Sequence, residues 1–303
     1  MKCKCWKILA ALFSRLLFGI HGTLMVLVTV GIKEDIAYLI LLIGIVLLFV
    51  ELAVTLWRTK KGEWKWFSPM VFLYLCTVIP SVFVMELELL EHRIELSNTT
   101  SAKCIDSEYK EYSTEAQALE QLLILVLIIG RWLMPKGQMS RDQLSQLLLT
   151  YLGLGADILD VLDLIKDPAV NTNFPLAIVG LILFSWAIMQ FTIVLTQNVS
   201  LPSQKTPGDE ESQTSPDKNR PAVTSCCTAQ VWTLVITVGM QDGPFLVYRI
   251  YLASMEGVDN DSIVFFICKN FLTVMIEIYR IAAFLCDERR NRKKPEQSHI
   301  NME

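Results

Sequence analysis

The sequence predicts an all-α fold, a polytopic integral membrane bundle of about eight transmembrane helices. Three observations carry this. Of 303 residues, 52% are hydrophobic and only 19% charged, and mean hydropathy is +0.42. Water-soluble domains carry about a quarter charged residues. Apolar runs close to the ~20 residues that cross a bilayer recur along the chain. Lysine and arginine are also distributed unevenly between alternate loops, as orientation in a membrane requires. The net charge of −4 supplies no basic excess for nucleic acid.

The elements follow in order. Lys7–Gly31 comes after Lys2 and Lys4, like the start of a signal peptide. Arg15 interrupts its apolar stretch and no small-residue cleavage site follows, so the sequence predicts a retained first helix. Ile36–Trp57 is the cleanest span, and Phe67–Leu90 is the third. Ala118–Met134 is short and stops at Pro135. Gln143–Ile165 is the weakest span, because it holds Asp157, Asp160 and Asp163, with a tilted or partly interfacial helix as the alternative. Phe174–Thr196, Val231–Ser254 and Ile263–Cys286 complete the set. Within the seventh, Asp242-Gly243-Pro244 predicts an interruption, since Pro244 removes a backbone bond to residue 240.

Residues 1–200 therefore carry helices one to six, with an outside loop over 91–117. Residues 201–225 hold four prolines among Ser, Thr, Asp and Glu and read as a disordered cytoplasmic linker. Residues 226–287 carry helices seven and eight, and 288–303 form a basic cytoplasmic tail. No internal repeat relates the halves, against an inverted-repeat transporter.

With the N-terminus inside, the cytoplasmic loops hold Lys2, Lys4, Lys7, Arg58, Lys60, Lys61, Lys65, Lys136, Arg141, Lys205, Lys218, Arg220, Arg289, Arg290, Arg292, Lys293 and Lys294. The outside loops hold only Lys33, Arg93, Lys103, Lys110 and Lys166. Seventeen against five places both termini in the cytoplasm. Trp6, Trp57, Trp64, Trp66, Trp132 and Trp232 fall at the inner boundary, as an aromatic belt would. Asn98-Thr99-Thr100 is a glycosylation sequon in the longest outside loop.

Of eight cysteines, only Cys104 lies clearly outside, so no intrachain disulfide is expected. Cys3, Cys5, Cys226 and Cys227 lie beside the inner leaflet, where palmitoylation occurs, although ordinary reduced cysteines are an equal reading. Histidine is scarce, and H-E-x-x-H, G-x-S-x-G and P-loop motifs are missing. Gly153-Leu154-Gly155-Ala156-Asp157 misses the intramembrane aspartyl-protease spacing by one residue. No metal or cofactor motif appears, and the chain reads as a non-enzyme whose partners are the lipid bilayer and proteins of unknown identity.

Charges at membrane depth cost about 2.5–3.5 kcal/mol on insertion scales, so each needs a partner or a purpose. Helix rise sorts them into an inner layer of Arg15, Glu51, Arg131, Glu277 and Arg280, and an outer layer of Glu86, Asp157, Asp160, Asp163, Arg249 and Lys269. Asp242 lies near the midplane. Mixed signs predict pairing of Asp157 or Asp160 with Arg249 or Lys269, and of Glu51 or Glu277 with Arg15, Arg131 or Arg280. Arg15, Arg131, Arg280 and Glu86 are also near enough to an interface to snorkel. The cluster Asp157, Asp160, Asp242, Arg249, Lys269 and Glu277 has two open readings, helix packing or a substrate pathway. Gly153 and Gly155 predict close helix approach beside it.

These residues carry a family resemblance. Lys65-Trp66-Phe67-Ser68-Pro69, Gly130-Arg131-Trp132-Leu133-Met134-Pro135, the run Arg141 to Leu149, Ala156-Asp157-Ile158-Leu159, Gln241-Asp242-Gly243-Pro244-Phe245-Leu246-Val247 with Arg249, and Lys269-Asn270-Phe271-Leu272 with Tyr279-Arg280 are similar to the transmembrane protein 26 family. The likeness spans nearly the whole membrane part. It implies a polytopic cell-surface protein, brings no catalytic residues, and sets Asp157, Asp242, Arg249 and Lys269 inside resembling motifs. The outside loop and the cytoplasmic tail are shorter here than in vertebrate members.

Overall fold

A computed structural model describes residues 2–59, 67–98, 106–133, 141–167, 170–171, 173–192, 238–255 and 261–300. The described residues are almost entirely helical and fall into two compact units, residues 1–195 and 196–303.

In the first unit, α1 (Lys2–Lys33) sits against α2 (Leu42–Thr59), α3 (Pro69–Asn98) and α4 (Asp106–Leu133). Then α4 packs on α5 (Arg141–Ile165), and α5 on α6 (Phe174–Ile188). The pattern of α1 explains its central place. Ala11, Ser14, Arg15, Phe18, His21, Met25, Val26 and Thr29 are buried, whereas Ile8, Leu12, Leu16, Ile20, Leu24 and Leu27 are exposed. Spacings of three and four put the two sets on opposite faces. Ser14, Arg15, His21 and Thr29 share the inward face with apolar side chains, while the outward face is aliphatic, as expected where the surrounding solvent is lipid.

Local chemistry sets the joints. Glu34 adopts a left-handed φ of 53°, and the Asp35 side chain accepts a 2.9 Å bond from the Ala37 N–H, starting a 3-10 turn over Ile36–Leu41 that leads into α2. Helix α3 passes Pro80 without ending, and the Ser81 hydroxyl donates to the Thr77 carbonyl at 3.0 Å. Helix α6 closes through a 3-10 turn, Met189–Thr192, whose Thr192 carbonyl accepts from the Ser68 N–H at 2.9 Å.

Most of the segment expected as the outside loop is helical. Helix α3 runs through Asn98 and α4 starts at Asp106. Residues 91–98 contain no glycine or proline, so nothing ends α3 at the membrane edge. Among the described residues, six elements are long and apolar enough to cross a membrane: Ile8–Lys33, Ile36–Arg58, Pro69–Glu95, Tyr112–Leu133, Phe174–Thr192 and Ser262–Ala283. Helix α5, with its three aspartates, is not among them.

In the second unit, a π-helical turn over Val238–Asp242 leads into α7 (Gly243–Met255). Helix α8 (Asp261–Ile300) packs on both and continues as helix through the stretch expected to be a tail. The linker 201–225, Cys226, Cys227 and the side chains of Cys3, Cys5 and Asn98 lie outside the described residues.

Candidate functional site

The buried charges of the first unit have partners on neighbouring helices. Arg15 Nη2 lies 3.2 Å from Glu51 Oε2, with the two side chains 1% and 8% exposed. The Thr55 hydroxyl donates to Glu51 Oε1 at 2.5 Å, and Arg15 Nη1 donates to the Ala11 carbonyl. Arg131 Nη2 donates to the Phe191 carbonyl at 2.6 Å, and Tyr151 stacks on the Phe191 ring. Snorkelling of Arg15, Arg131 and Glu86 is corrected: all three are buried by protein. A partner within direct reach removes the need to stretch toward the interface. The expected Arg15–Glu51 pairing across helices is present, whereas Glu277 pairs within its own helix, with Arg280 at 3.3 Å.

A second network closes the opposite end of this unit. Glu86 on α3 accepts from Arg93 Nη2 at 3.1 Å and lies 3.4 Å from Lys166 Nζ. Glu120 on α4 accepts from the same ammonium at 2.6 Å. Both carboxylates are at most 2% exposed. Burial disfavours the Lys166 ammonium, but Glu120 and Glu86 more than offset it and hold the lysine pKa above its ordinary value. Nearby, Lys33 on α1 pairs with Glu88 on α3.

Between these layers, His21 bridges two helices. Its Nε2 lies 3.0 Å from the Leu119 carbonyl, which can only accept, so Nε2 carries the proton. Nδ1 then accepts from the Tyr74 hydroxyl at 2.8 Å. Sequence reasoning passed over this link, together with Glu120 and the buried side of Lys166.

The residues expected as one cluster belong to two compact units. Asp157, buried, and Asp160, half-buried, lie on α5 of the first unit. Asp163 on the same helix is exposed. Asp242, Arg249, Lys269 and Glu277 belong to the second unit. Of the two glycines beside Asp157, a Cβ at Gly155 would collide with Ile124 of α4, while Gly153 faces open space. The close approach therefore rests on Gly155 alone.

In the second unit, the Arg249 guanidinium lies 4.8 Å from the Phe266 ring centroid and 5.5 Å from that of Phe245. Lys269 Nζ lies 5.7 Å from the same Phe266 ring. The helix interruption at Asp242 takes the form of the π-turn. A Cβ at Gly243 would meet the Val238 carbonyl oxygen at 2.8 Å, so the turn requires glycine there. Asn270 is fully buried, and neither its amide nitrogen nor its amide oxygen has a hydrogen-bond partner. Among the described residues, no three of His, Cys, Asp and Glu converge into a metal-binding set. An open groove of about 280 Å³ between α4 and α5, lined by Ile128, Ile129, Trp132, Ser145, Leu148, Leu149 and Leu152, is apolar and offers no acid, base or nucleophile beyond a serine hydroxyl.

No solved structure matches the chain. The family model described as transmembrane protein 26 matches residues 5–280, which reaches into every helix described above. The chain is a member of the transmembrane protein 26 family.

Proposed function

We propose that this chain is a non-enzymatic, multi-pass plasma-membrane protein of receptor or scaffold type, whose intramembrane charges fix helix packing. The Arg15–Glu51 pair carries the reading: a cation and an anion on adjacent helices are spent on each other, 1% and 8% exposed, and leave no charge facing a path. Both termini are cytoplasmic on the lysine and arginine distribution, and Asn98 at the end of α3 is then glycosylated outside. The partners are the bilayer and other proteins, with no nucleic acid.

Thiol labelling from water tests it. Single cysteines replace Ser14, Phe18, Tyr151 and Ile158 in a background where the eight native cysteines are serine. A dry interior leaves all four unlabelled, and rapid labelling at any of them sinks the reading. Asn98→Gln must also shift gel mobility.

A second reading, a transporter or channel, draws support from the π-turn beside buried Asp242 and from the unpartnered Asn270 amide. Helix interruptions of this kind frame binding sites in transporters. Water-borne labelling confined to positions 238–242 and 270 would favour it.

A further inference from the structure

Glu86 and Glu120 each leave one buried oxygen unsatisfied. Arg93 serves Glu86 Oε2 and Lys166 serves Glu120 Oε2, yet Oε1 of each has no hydrogen-bond partner. Lys166 Nζ, 3.4 Å from Glu86 Oε1, supplies charge there without a hydrogen bond. The two carboxyl groups converge on one ammonium, Lys166 Nζ, which lies 2.6 Å from Glu120 Oε2 and 3.4 Å from Glu86 Oε1. Two neighbouring acceptors cannot satisfy one another, but a single proton turns one into a donor and serves both.

The surrounding charges agree. Helix α3 contributes Glu86 and Arg93, and α4 contributes Glu120. The end of α5 adds exposed Asp163 one turn before Lys166. On α1, Lys33 is taken by Glu88, and His21 is held by Tyr74 and the Leu119 carbonyl. Carboxylates thus outnumber the two cations, Arg93 and Lys166, around this group, and an added proton reduces the imbalance.

We propose that Glu86 and Glu120 form a proton-binding site, sharing one proton across their inner oxygens, with Lys166 as the cation beside them. The Lys166 side chain is 22% exposed, while both acids are at most 2% exposed, so water reaches the lysine far more than the acids. On the orientation proposed above, the site faces outside.

Infrared spectroscopy of the full chain in lipid nanodiscs, with glutamate carboxyl groups labelled by carbon-13, reads the proton directly. The expected result at pH 7 is a label-sensitive band of a protonated carboxyl group. Glu86→Gln and Glu120→Gln each abolish it, because the remaining acid then ionises against Lys166. Lys166→Met retains it, because the pair has lost a cation. A wild-type spectrum without the band overturns the proposal whether or not any variant folds. A band that survives both glutamine substitutions, or is lost in Lys166→Met, also overturns it.

Discussion

Arg15 and Glu51 meet at 3.2 Å between α1 and α2, and the Thr55 hydroxyl completes the shell of the carboxylate. Removing one partner strands the other in a low-dielectric interior, which costs about 3–5 kcal/mol. Replacing both by apolar groups removes that penalty. Arg15→Leu and Glu51→Leu should each sharply lower the unfolding temperature in detergent, and the double variant should recover most of the loss. A double variant no better than the worse single one would show that the pair is not a coupled unit.

Gly155 and Gly153 sit two residues apart on α5 and should respond differently to a larger side chain. Gly155→Val drives a side chain into Ile124 and should cost about 1–3 kcal/mol by overpacking. Gly153→Val meets nothing within 4 Å and should be nearly neutral. Thermal unfolding of the two variants side by side checks this, and equal losses would contradict the geometry.

Tyr74→Phe removes the donor to His21 Nδ1 and leaves a buried ring nitrogen unsatisfied. The expected loss is about 1–3 kcal/mol. His21→Phe in the same background removes the stranded group, so the double variant should lose less than the sum of the singles. Additive losses in the double-mutant cycle would count against the link.

Lys166 sets an alkaline limit. Its folded pKa lies above its ordinary value of 10.5 because Glu120 and Glu86 outweigh the effect of burial. The ammonium therefore adds stability that is fully present below the unfolded lysine pKa. That contribution is lost as pH rises through the folded pKa. The stability gap between wild type and Lys166→Met should stay constant through neutral pH and close only on the alkaline side of 10.5. A gap that closes below about pH 9 would contradict the assignment.

The layering of Arg15 with Glu51 was legible because both sit well inside apolar runs, where helix rise fixes depth. Helix α5 was legible as a helix, and its three aspartates marked it as less apolar than its neighbours. Glu120 was hidden because it lies near the start of the span Ala118–Met134, where a charge is unremarkable. Its spacing with Ala116, Leu123, Leu127 and Arg131, all buried, was the signal that would have found it. Lys166 was read as a loop charge, since sequence gives no measure of how far its aliphatic stem reaches back. The helical continuation of α3 to Asn98 was missed because apolarity marks the end of a membrane span, whereas only capping or helix-breaking residues mark the end of a helix.

The reversed pattern of α1 has a consequence for biosynthesis. Its inward face carries Ser14, Arg15, His21 and Thr29, and the helices that cover them are α2, α3 and α4. Synthesis runs from N- to C-terminus, so α1 is made before α2, α3 and α4, and the far edge of its shelter, around Leu133, is still unmade when α1 emerges. Glu51 arrives early enough to neutralise Arg15, but the carbonyl of Leu119 that receives His21 comes about a hundred residues later. Helix α1 is thus made ahead of all three helices that shelter it, and the partner of His21 is in place only once α4 has been made.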